Sequence, residues 1–330
     1  MRLTLLPERV SVDMQPGRSL LESALMASVP LLHSCRGGSC GACRAHWVSG
    51  EVDFPQGAGL GLTAEEQAEG QILLCRAHPR SDVVVDVRTL RPAAAVESRH
   101  LPCRIEQLEL LSPDVLRLRL RLPAIEPFNW SAGQYVDLIL PDGTRRAYSL
   151  AAPPGEDPRL EIHVARVDGG RVSGTLFAMQ APGALLSVEG PFGGLELPVP
   201  TGTAPLLLVA GGTGYAPIRA MLRELAQGAW TRPTRLYFGV RRGADLYADQ
   251  ELRQFERDCP HFRYVPLSED GAGPPGVRRG RVHAAVLEAE PDYAAADVVV
   301  AGPSALVAVM RQELLARGLP AARFYADAFG

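Results

Sequence analysis

The sequence predicts a multidomain protein: a small N-terminal domain, an antiparallel β-barrel or sandwich, and an α/β domain with a parallel sheet. Three observations predict this order. Four of the six cysteines lie within the first 75 residues, residues 101–200 alternate between apolar and polar side chains, and from residue 203 apolar runs alternate with helical stretches. The 330 residues suffice for two or three domains. We predict domains over 1–92, 99–200 and 203–330.

Composition and charge exclude several classes of protein. The formal net charge of −3 argues against nucleic-acid binding, because neutralising phosphates needs a basic surface. The first 17 residues carry charges and prolines before any long apolar run, so we expect no secretory signal. The longest apolar stretches, such as LLLVA at 206–210, are far too short to span a bilayer. We therefore expect a cytoplasmic protein without membrane or nucleic-acid partners, whose cysteines do not form disulfides.

The N-terminal domain carries a cysteine cluster. Cys35, Cys40 and Cys43 stand at C-x4-C-x2-C in CRGGSCGAC, and Cys75 follows after 31 intervening residues. This is the plant-type [2Fe–2S] spacing, in which three thiolates come from one short loop and the fourth from a distant segment. A short alternating run over 81–90 predicts the last strand of this domain, and the proline- and alanine-rich 91–100 predicts a linker.

The glycines in this loop fit the same interpretation. Gly37, Gly38 and Gly41 allow positive φ and a close approach, and they leave backbone N–H groups free to point at the sulfides. A structural zinc site is the alternative, but it would usually pair two C-x2–4-C motifs, and here the second half is a lone cysteine. Cys103 and Cys259 each stand alone, and we interpret them as incidental or buried thiols.

The second domain is predicted from four alternating segments separated by turn residues. They are CRIEQLEL (103–110), VLRLRLRL (115–122), YVDLIL (135–140) and LEIHVARV (160–167). Within RRAYSLAAPP, Arg146 could bind a phosphate, Tyr148 could cover an aromatic ring and Ser149 could donate to a ring nitrogen. Taken alone, these residues are better explained by a strand with alternating exposure than by a binding site. VDGGRVSGTLF (167–177) adds a glycine turn and a helix start, which suit a pyrophosphate.

The third domain is predicted from strands that alternate with helices. The strands are LLLVA (206–210), RLYFGV (235–240), FRYVPLS (262–268) and DVVVAG (297–302), and the helices cover 215–228, 246–258 and 303–318. The GGTG turn after the first strand lets the backbone and a helix N-terminus approach a pyrophosphate. It lacks the GxGxxG spacing of the dinucleotide-binding fingerprint.

These motifs carry a family resemblance. CRGGSCGAC resembles plant-type ferredoxins, while RAYS, EGPFG and GGTGYAP resemble the ferredoxin–NADP reductase superfamily. The resemblance implies a β-grasp-like [2Fe–2S] ferredoxin domain, an FAD-binding antiparallel β-barrel and an NAD(P)H-binding α/β domain. In this order the three segments resemble the reductase components of bacterial ring-hydroxylating oxygenases, such as naphthalene or terephthalate dioxygenase reductases. They also resemble CDP-6-deoxyglucoseen reductases.

The resemblance implies roles for particular residues. The four cysteines would ligate the cluster, Arg146 would hold flavin phosphate, Tyr148 would pack on the isoalloxazine and Ser149 would reach flavin N5. Further contacts to the flavin would come from two backbone segments: Ile162, His163 and Val164, and then Gly170, Arg171, Val172 and Ser173. FAD is favoured over FMN, because the FMN relatives carry the ferredoxin domain at the other end of the chain.

Two loops would bind the nicotinamide dinucleotide. They contain Gly211, Gly212, Thr213 and Gly214, and then Gly302 and Pro303. Thr213 would lie nearest the nicotinamide, and Ala301 stands where the family often has cysteine. Phe329 is the candidate for a terminal aromatic that covers the flavin until nicotinamide displaces it; a core strand residue is the alternative. Ser149, Thr213 and Phe329 are thus the candidate catalytic residues.

The choice of coenzyme depends on charge. Glu269 and Asp270 would repel a 2′-phosphate, whereas Arg241 and Arg242 could accept one. We expect NADH, with NADPH as the alternative.

The implied activity is electron transfer from NADH through FAD and the cluster to a partner. The partner would be a terminal oxygenase component of aromatic hydrocarbon catabolism or another electron-accepting protein, with a sugar dehydratase as the alternative. From another class, the chain could be a metal-stabilised binding module with a degenerate flavin site. About 240 residues follow the cysteine domain, which excludes a plain ferredoxin carrier.

Overall fold

The structure is a computed structural model that describes residues 1–29, 31–87, 98–124, 128–155, 158–179, 181–193, 195, 197–198, 204–228, 230–289 and 293–329. The strands of these residues form one five-stranded sheet, two six-stranded sheets and a small two-stranded sheet. The fold class predicted from the sequence is confirmed in all three of its parts.

The N-terminal domain is a mixed sheet packed against a helix, as in the β-grasp fold. Its elements are β1 (Arg2–Leu6), β2 (Val10–Asp13), α1 (Leu20–Met26), β3 (Arg44–Ser49), β4 (Val52–Asp53), α2 (Ala64–Ala68), β5 (Gln71–Leu73), β6 (His78–Pro79) and β7 (Val83–Asp86). The sheet order is β2-β1-β7-β3-β5, with β1 parallel to β7. Leu3, Leu5 and Leu20 lie in its core. A capping box between Ser19 and Glu22 begins α1.

The second domain is a six-stranded antiparallel barrel. Its elements are β8 (Arg99–Ser112), β9 (Val115–Arg121), β10 (Tyr135–Ile139), β11 (Arg145–Ser149), β12 (Leu160–Ala165), α3 (Arg171–Ala178) and β13 (Leu185–Phe192). The sheet order is β11-β10-β13-β8-β9-β12, and a bridge between Leu150 and Ile162 joins its two edges. Leu116, Leu118 and Leu120 point into the core, as the alternation in β9 predicts.

The third domain has a parallel six-stranded sheet between helices. Its elements are β14 (Leu206–Gly211), α4 (Tyr215–Gln227), β15 (Thr234–Val240), α5 (Asp249–Asp258), β16 (Phe262–Ser268), β17 (Arg278–Arg279), α6 (Val282–Ala289), β18 (Asp297–Pro303), α7 (Ser304–Ala316) and β19 (Phe324–Phe329). The sheet order is β17-β16-β15-β14-β18-β19, and every pair is parallel. Each face of the sheet has its own apolar core. None of the described helices is long and apolar enough to cross a bilayer.

Two predicted boundaries of elements were wrong. Arg99 and His100 belong to β8 rather than to the linker, while residues 88–97 lie outside the described part of the chain. The third domain's second helix begins at Asp249 instead of 246, because Gly243–Asp245 forms a separate 3-10 turn and Leu246 packs in the core. The domain limits themselves stay predictions, since residues 92, 200 and 203 are not described.

Candidate functional site

The four candidate cluster ligands come together in the N-terminal domain. Cys35, Cys40 and Cys43 lie in the loop between α1 and β3, and Cys75 follows β5. Their thiols form two close pairs, Cys35 with Cys40 and Cys43 with Cys75. Among the described residues, no three thiol, imidazole or carboxylate groups converge as ligands of a single ion. Two thiol pairs fit a two-iron centre, in which each iron takes two protein ligands.

Backbone N–H groups surround the first pair of thiols. Cys35 Sγ accepts from the N–H groups of Ser39 at 3.3 Å and Cys40 at 3.4 Å, and Cys40 Sγ accepts from Ala42 at 3.4 Å. The hydrogen bond from the Cys40 thiol lowers the pKa of Cys35 to about 6 against the opposing effect of burial, and the backbone N–H groups add to the lowering. The pKa of its partner Cys40 is raised, first by the hydrogen bond that its thiol donates to Cys35 and then by burial, so iron, which binds thiolates, would have to displace that proton.

Glycine is required at two positions of the loop. Gly38 and Gly41 have positive φ angles of 80° and 75°, whereas the φ angle of Gly37 is not positive. A Cβ added to Gly41 would lie 2.8 Å from the carbonyl oxygen of Gly61. The segment around Gly61 therefore closes tightly over the loop.

The predicted flavin residues lie at one end of the barrel. Arg146, Tyr148 and Ser149 lie on the strand β11, where Ser149 pairs with Tyr135 of β10. Arg146 is exposed, while Tyr148 is half-buried against the barrel core. Burial raises the pKa of Tyr148 to about 12, so its phenol is neutral at physiological pH.

The predicted phosphate turn leads directly into a helix. Gly170 precedes α3, and no side chain caps that N-terminus. The Ser173 hydroxyl bonds within the turn, to the backbone N–H of Val167, while Arg171 pairs with Asp142 at 2.6 Å. Uncapped N–H groups at a helix start suit a phosphate ligand.

The segment Ile162–Val164 lies in β12, between the barrel core and the third domain. Ile162 and Val164 are fully buried in the core. The His163 side chain points the other way, where its Nδ1 lies 3.1 Å from the Tyr247 hydroxyl. The side chain of His163 thus joins two domains, and only its backbone could take part in the predicted flavin contact.

The two predicted nicotinamide loops touch each other. The turn Gly211–Gly214 follows β14, and Gly302 and Pro303 end the neighbouring parallel strand β18. A Cβ added to Gly214 would lie 2.0 Å from the carbonyl oxygen of Ala301, so only glycine permits this approach. Thr213 is partly exposed between the loops. Carboxyl ends of adjacent parallel strands are where such sheets bind ligands.

Phe329 lies at the same edge of the sheet. It ends β19 opposite Pro303 and is half-buried. It is a strand residue, partly exposed beside the predicted nicotinamide loops, and its role stays a prediction.

Asp327, two residues before Phe329, is a site residue that the sequence motifs did not predict. This buried carboxylate accepts hydrogen bonds from Ser149 Oγ at 2.7 Å and from Ser34 Oγ at 2.5 Å. Burial raises the pKa of Asp327, although both hydrogen bonds oppose that rise. The sequence does contain a sign of this contact, since Asp327 is the one acidic residue in the apolar strand FYADAF. A carboxylate that is buried in such a strand needs hydrogen-bond partners. Asp327 joins residues of all three domains.

Comparisons with known proteins agree with this architecture. Residues 3–80 match the 2Fe-2S iron-sulfur cluster binding domain, residues 102–197 the oxidoreductase FAD-binding domain and residues 208–312 the oxidoreductase NAD-binding domain. The chain therefore belongs to the family of NAD(P)H-dependent oxidoreductases that combine these three domains. It is a reductase that transfers electrons through FAD and a [2Fe–2S] cluster, as predicted.

Several relatives match along almost their whole length. The chain is 34% identical to the CDP-6-deoxy-L-threo-D-glycero-4-hexulose-3-dehydrase reductase of Yersinia pestis, over 94% of this chain and 93% of that protein. It is 35% identical to a terephthalate 1,2-dioxygenase reductase component of Comamonas, over 95% and 93%. The crystal structure of an Amycolatopsis cytochrome P450 reductase aligns with a TM-score of 0.77 at 34% identity, covering 99% and 98%.

Proposed function

We propose that this reductase oxidises NADH and supplies single electrons to a terminal oxygenase component. The observation that carries the proposal is the junction at Asp327. There the loop that holds Cys35, the candidate flavin residue Ser149 and the strand that ends in Phe329 are joined by two hydrogen bonds to one carboxylate. Bound flavin supplies the conversion of a two-electron hydride donor into one-electron transfers.

We assign the flavin and nicotinamide contacts to the residues at this junction. Ser149 would turn its one hydroxyl hydrogen from Asp327 to the flavin ring, Tyr148 would cover the ring and Arg146 would bind phosphate. The Gly211–Gly214 turn would hold the dinucleotide, with Thr213 beside the nicotinamide and Phe329 over the flavin. The support is the placement of β11, the glycine turn and the end of β19 at adjoining edges of two domains.

Charge around the second nicotinamide-domain strand favours NADH. The Arg242 guanidinium pairs with both Asp245, at 3.0 Å, and Asp114 of the barrel. Asp270 accepts from the backbone N–H of Gly243 at 3.1 Å, which fixes an acidic group at the end of β16. The Asp270 carboxylate would repel a 2′-phosphate, and Arg242 is already paired with two other carboxylates, those of Asp245 and Asp114.

The proposed partner follows from the oxygenase systems of two relatives. The Comamonas protein is named as a terephthalate 1,2-dioxygenase reductase component, and the Amycolatopsis structure as a cytochrome P450 reductase. The Yersinia protein, named as a reductase of a hexulose dehydrase, supports a second candidate: a deoxysugar dehydrase as the electron acceptor. The two candidates differ only in the protein that re-oxidises the cluster.

The test is anaerobic stopped-flow mixing with NADH and, separately, NADPH, with flavin and cluster absorbance followed independently. We expect flavin bleaching and then cluster bleaching, both faster with NADH. An aromatic-ring oxygenase and a sugar dehydrase are then added to separate samples of the reduced protein. We expect the oxygenase, and not the dehydrase, to re-oxidise the cluster. A colourless protein that contains zinc would instead support the metal-stabilised binding module and refute the proposal.

A further inference from the structure

Ser34 and Arg36, which flank the ligand Cys35, both contact other domains. Ser34 is buried, and its hydroxyl donates to Asp327 Oδ1 at 2.5 Å. The other carboxylate oxygen accepts from Ser149 Oγ at 2.7 Å. The carboxylate of Asp327 thus lies between the cluster loop and the candidate flavin residue Ser149 and bonds to both. Loss of either donor would leave part of a buried acid without a partner.

Arg36 reaches into the flavin barrel. Its guanidinium carbon lies 4.5 Å from the ring centroid of Phe192 and 5.6 Å from that of Tyr135. Its Nη1 lies 4.0 Å from Asp137 Oδ2, so the position has both cation–π and charge contacts. Arg36 also adopts a φ of 50°, which is unfavourable for a side chain with a Cβ and persists where surrounding contacts fix it.

The two thiol pairs have different surroundings. Cys35 and Cys40 pack against the apolar core of the third domain. Cys43 and Cys75 pack in the core of their own N-terminal domain. The loop therefore turns one side of the cluster site toward the other two domains and keeps the second side within its own fold.

We propose that Ser34 and Arg36 are positioning residues: they hold the loop around Cys35 against Ser149 and the barrel, so that a cluster bound by the four cysteines would receive electrons from bound flavin over a fixed separation. This inference rests on the proposed function. The bound groups would supply one-electron transfer, in which flavin would be oxidised and cluster iron reduced. A partner would take up the two electrons of one NADH singly, and the proton released by the flavin would pass to solvent.

The test is the rate of flavin-to-cluster electron transfer in Ser34→Ala and Arg36→Met, measured by anaerobic stopped-flow with NADH. We expect flavin reduction at the wild-type rate and cluster reduction slowed about tenfold to a hundredfold, as small misplacements of reacting groups produce. Ser34→Thr keeps a hydroxyl and should restore the rate. Arg76→Met is the matched control, because Arg76 lies against Gly38 of the same loop but, within the described part of the chain, bonds Gln56 and Gly57 of its own domain.

A spectroscopic readout separates positioning from loss of the cluster. Iron content, the EPR spectrum of the chemically reduced cluster and its reduction potential should match the wild type in both slow variants. Wild-type cluster reduction in both Ser34→Ala and Arg36→Met would overturn the inference, as would an equal slowing in Arg76→Met. If NADH reduces the flavin of the wild-type protein but never its cluster, the proposed function fails as well.

Discussion

Ser149 is the single residue on which hydride transfer should depend most. Its hydroxyl bonds to Asp327 and lies in register with Tyr135, at the flavin end of β11. In Ser149→Ala we expect NADH-dependent flavin reduction to slow about 100-fold, because the hydrogen-bond donor proposed for the flavin ring is removed. Stopped-flow flavin bleaching measures this.

The matched control for that variant is Thr175→Ala, which removes an exposed hydroxyl of α3 that donates to the backbone carbonyl of Arg171. It should leave the rate unchanged. Equal rates in Ser149→Ala and the wild type would contradict the role given to Ser149.

Cys75 provides the test of the cluster. In Cys75→Ser we expect loss of the [2Fe–2S] absorbance and of bound iron and sulfide, because the fourth thiolate is missing. Reduction of the flavin by NADH should persist, since Cys75 lies in the core of the N-terminal domain, away from β11 and the Gly211–Gly214 turn. Chemical iron analysis and visible spectra give the result.

Cys259→Ser serves as the control, because Cys259 is a free thiol at the end of α5 in the third domain. Full iron content in Cys75→Ser would exclude Cys75 as a ligand.

Among the elements, β12 and α4 are joined by a buried charge network. Glu161 accepts from Arg219 Nη1 at 2.8 Å and from Arg119 Nε at 2.9 Å. Burial alone would raise the pKa of Glu161, but the hydrogen bond from His163 and the charge of Arg219 outweigh it and lower the pKa to about 2. The flavin and nicotinamide domains are connected through this carboxylate.

Replacement of that carboxylate should destabilise the protein. We expect Glu161→Gln to lower the free energy of unfolding by about 3 kcal/mol, since it removes the charge of the carboxylate that Arg119 and the buried Arg219 share, although Arg219 keeps its pair with Glu251. Glu109→Gln, which removes an exposed pair with Arg117, should cost at most about 1 kcal/mol. Urea unfolding at pH 7 gives both values, and similar losses in the two variants would refute the prediction.

The same network sets a pH dependence. Because the folded-state pKa of Glu161 is depressed to about 2 from 4.5, its contribution is present above pH 4.5 and is lost as pH falls toward 2. The stability difference between wild type and Glu161→Gln should therefore narrow on acidification from pH 7 to pH 3. A constant difference would show that the charge of Glu161 does not stabilise the fold.

Sequence periodicity predicted most elements correctly, and the reason is local. The residues of β9 alternate between apolar and polar because one face of the strand is buried. Those of β14 form a continuous apolar run because both faces of that strand are buried. The start of α5 was wrong because Leu246, Tyr247 and Ala248 have helical composition but form the connection between the 3-10 turn Gly243–Asp245 and the helix.

The cysteine spacing predicted the cluster loop, but the Asp327 junction could not be predicted. Ser34 and Asp327 are 293 residues apart, and no local pattern encodes which loops meet when three domains pack together. The roles of individual site residues therefore remain predictions.

Across the whole molecule, a second contact fixes the N-terminal domain to the nicotinamide domain. Arg311 on α7 donates to both carboxylate oxygens of Glu66, at 2.8 and 2.6 Å, and Arg44 lies 3.3 Å from the same carboxylate. Arg311 is 3% exposed, so this bidentate pair is largely shielded from solvent. The contact lies apart from the Asp327 junction and acts with it to hold the cluster loop.

We expect Arg311→Met to loosen this interface by about 2–5 kcal/mol, the usual loss for one partner of a buried charge pair. Hydrogen exchange should rise in α2 and α7, and flavin-to-cluster transfer should slow, while flavin reduction by NADH stays unchanged. The control is Arg317→Met, which removes an exposed pair with Glu313 on the same helix. Unchanged exchange in Arg311→Met would mean that other contacts hold the domains together.

The most direct measurement is low-temperature EPR of the anaerobic protein, frozen after mixing with less than one equivalent of NADH per flavin. The account predicts the spectrum of a reduced [2Fe–2S] cluster, with intensity that rises in proportion to the NADH added and is absent from Cys75→Ser. A flavin that is fully reduced by NADH beside a cluster that stays oxidised would contradict it.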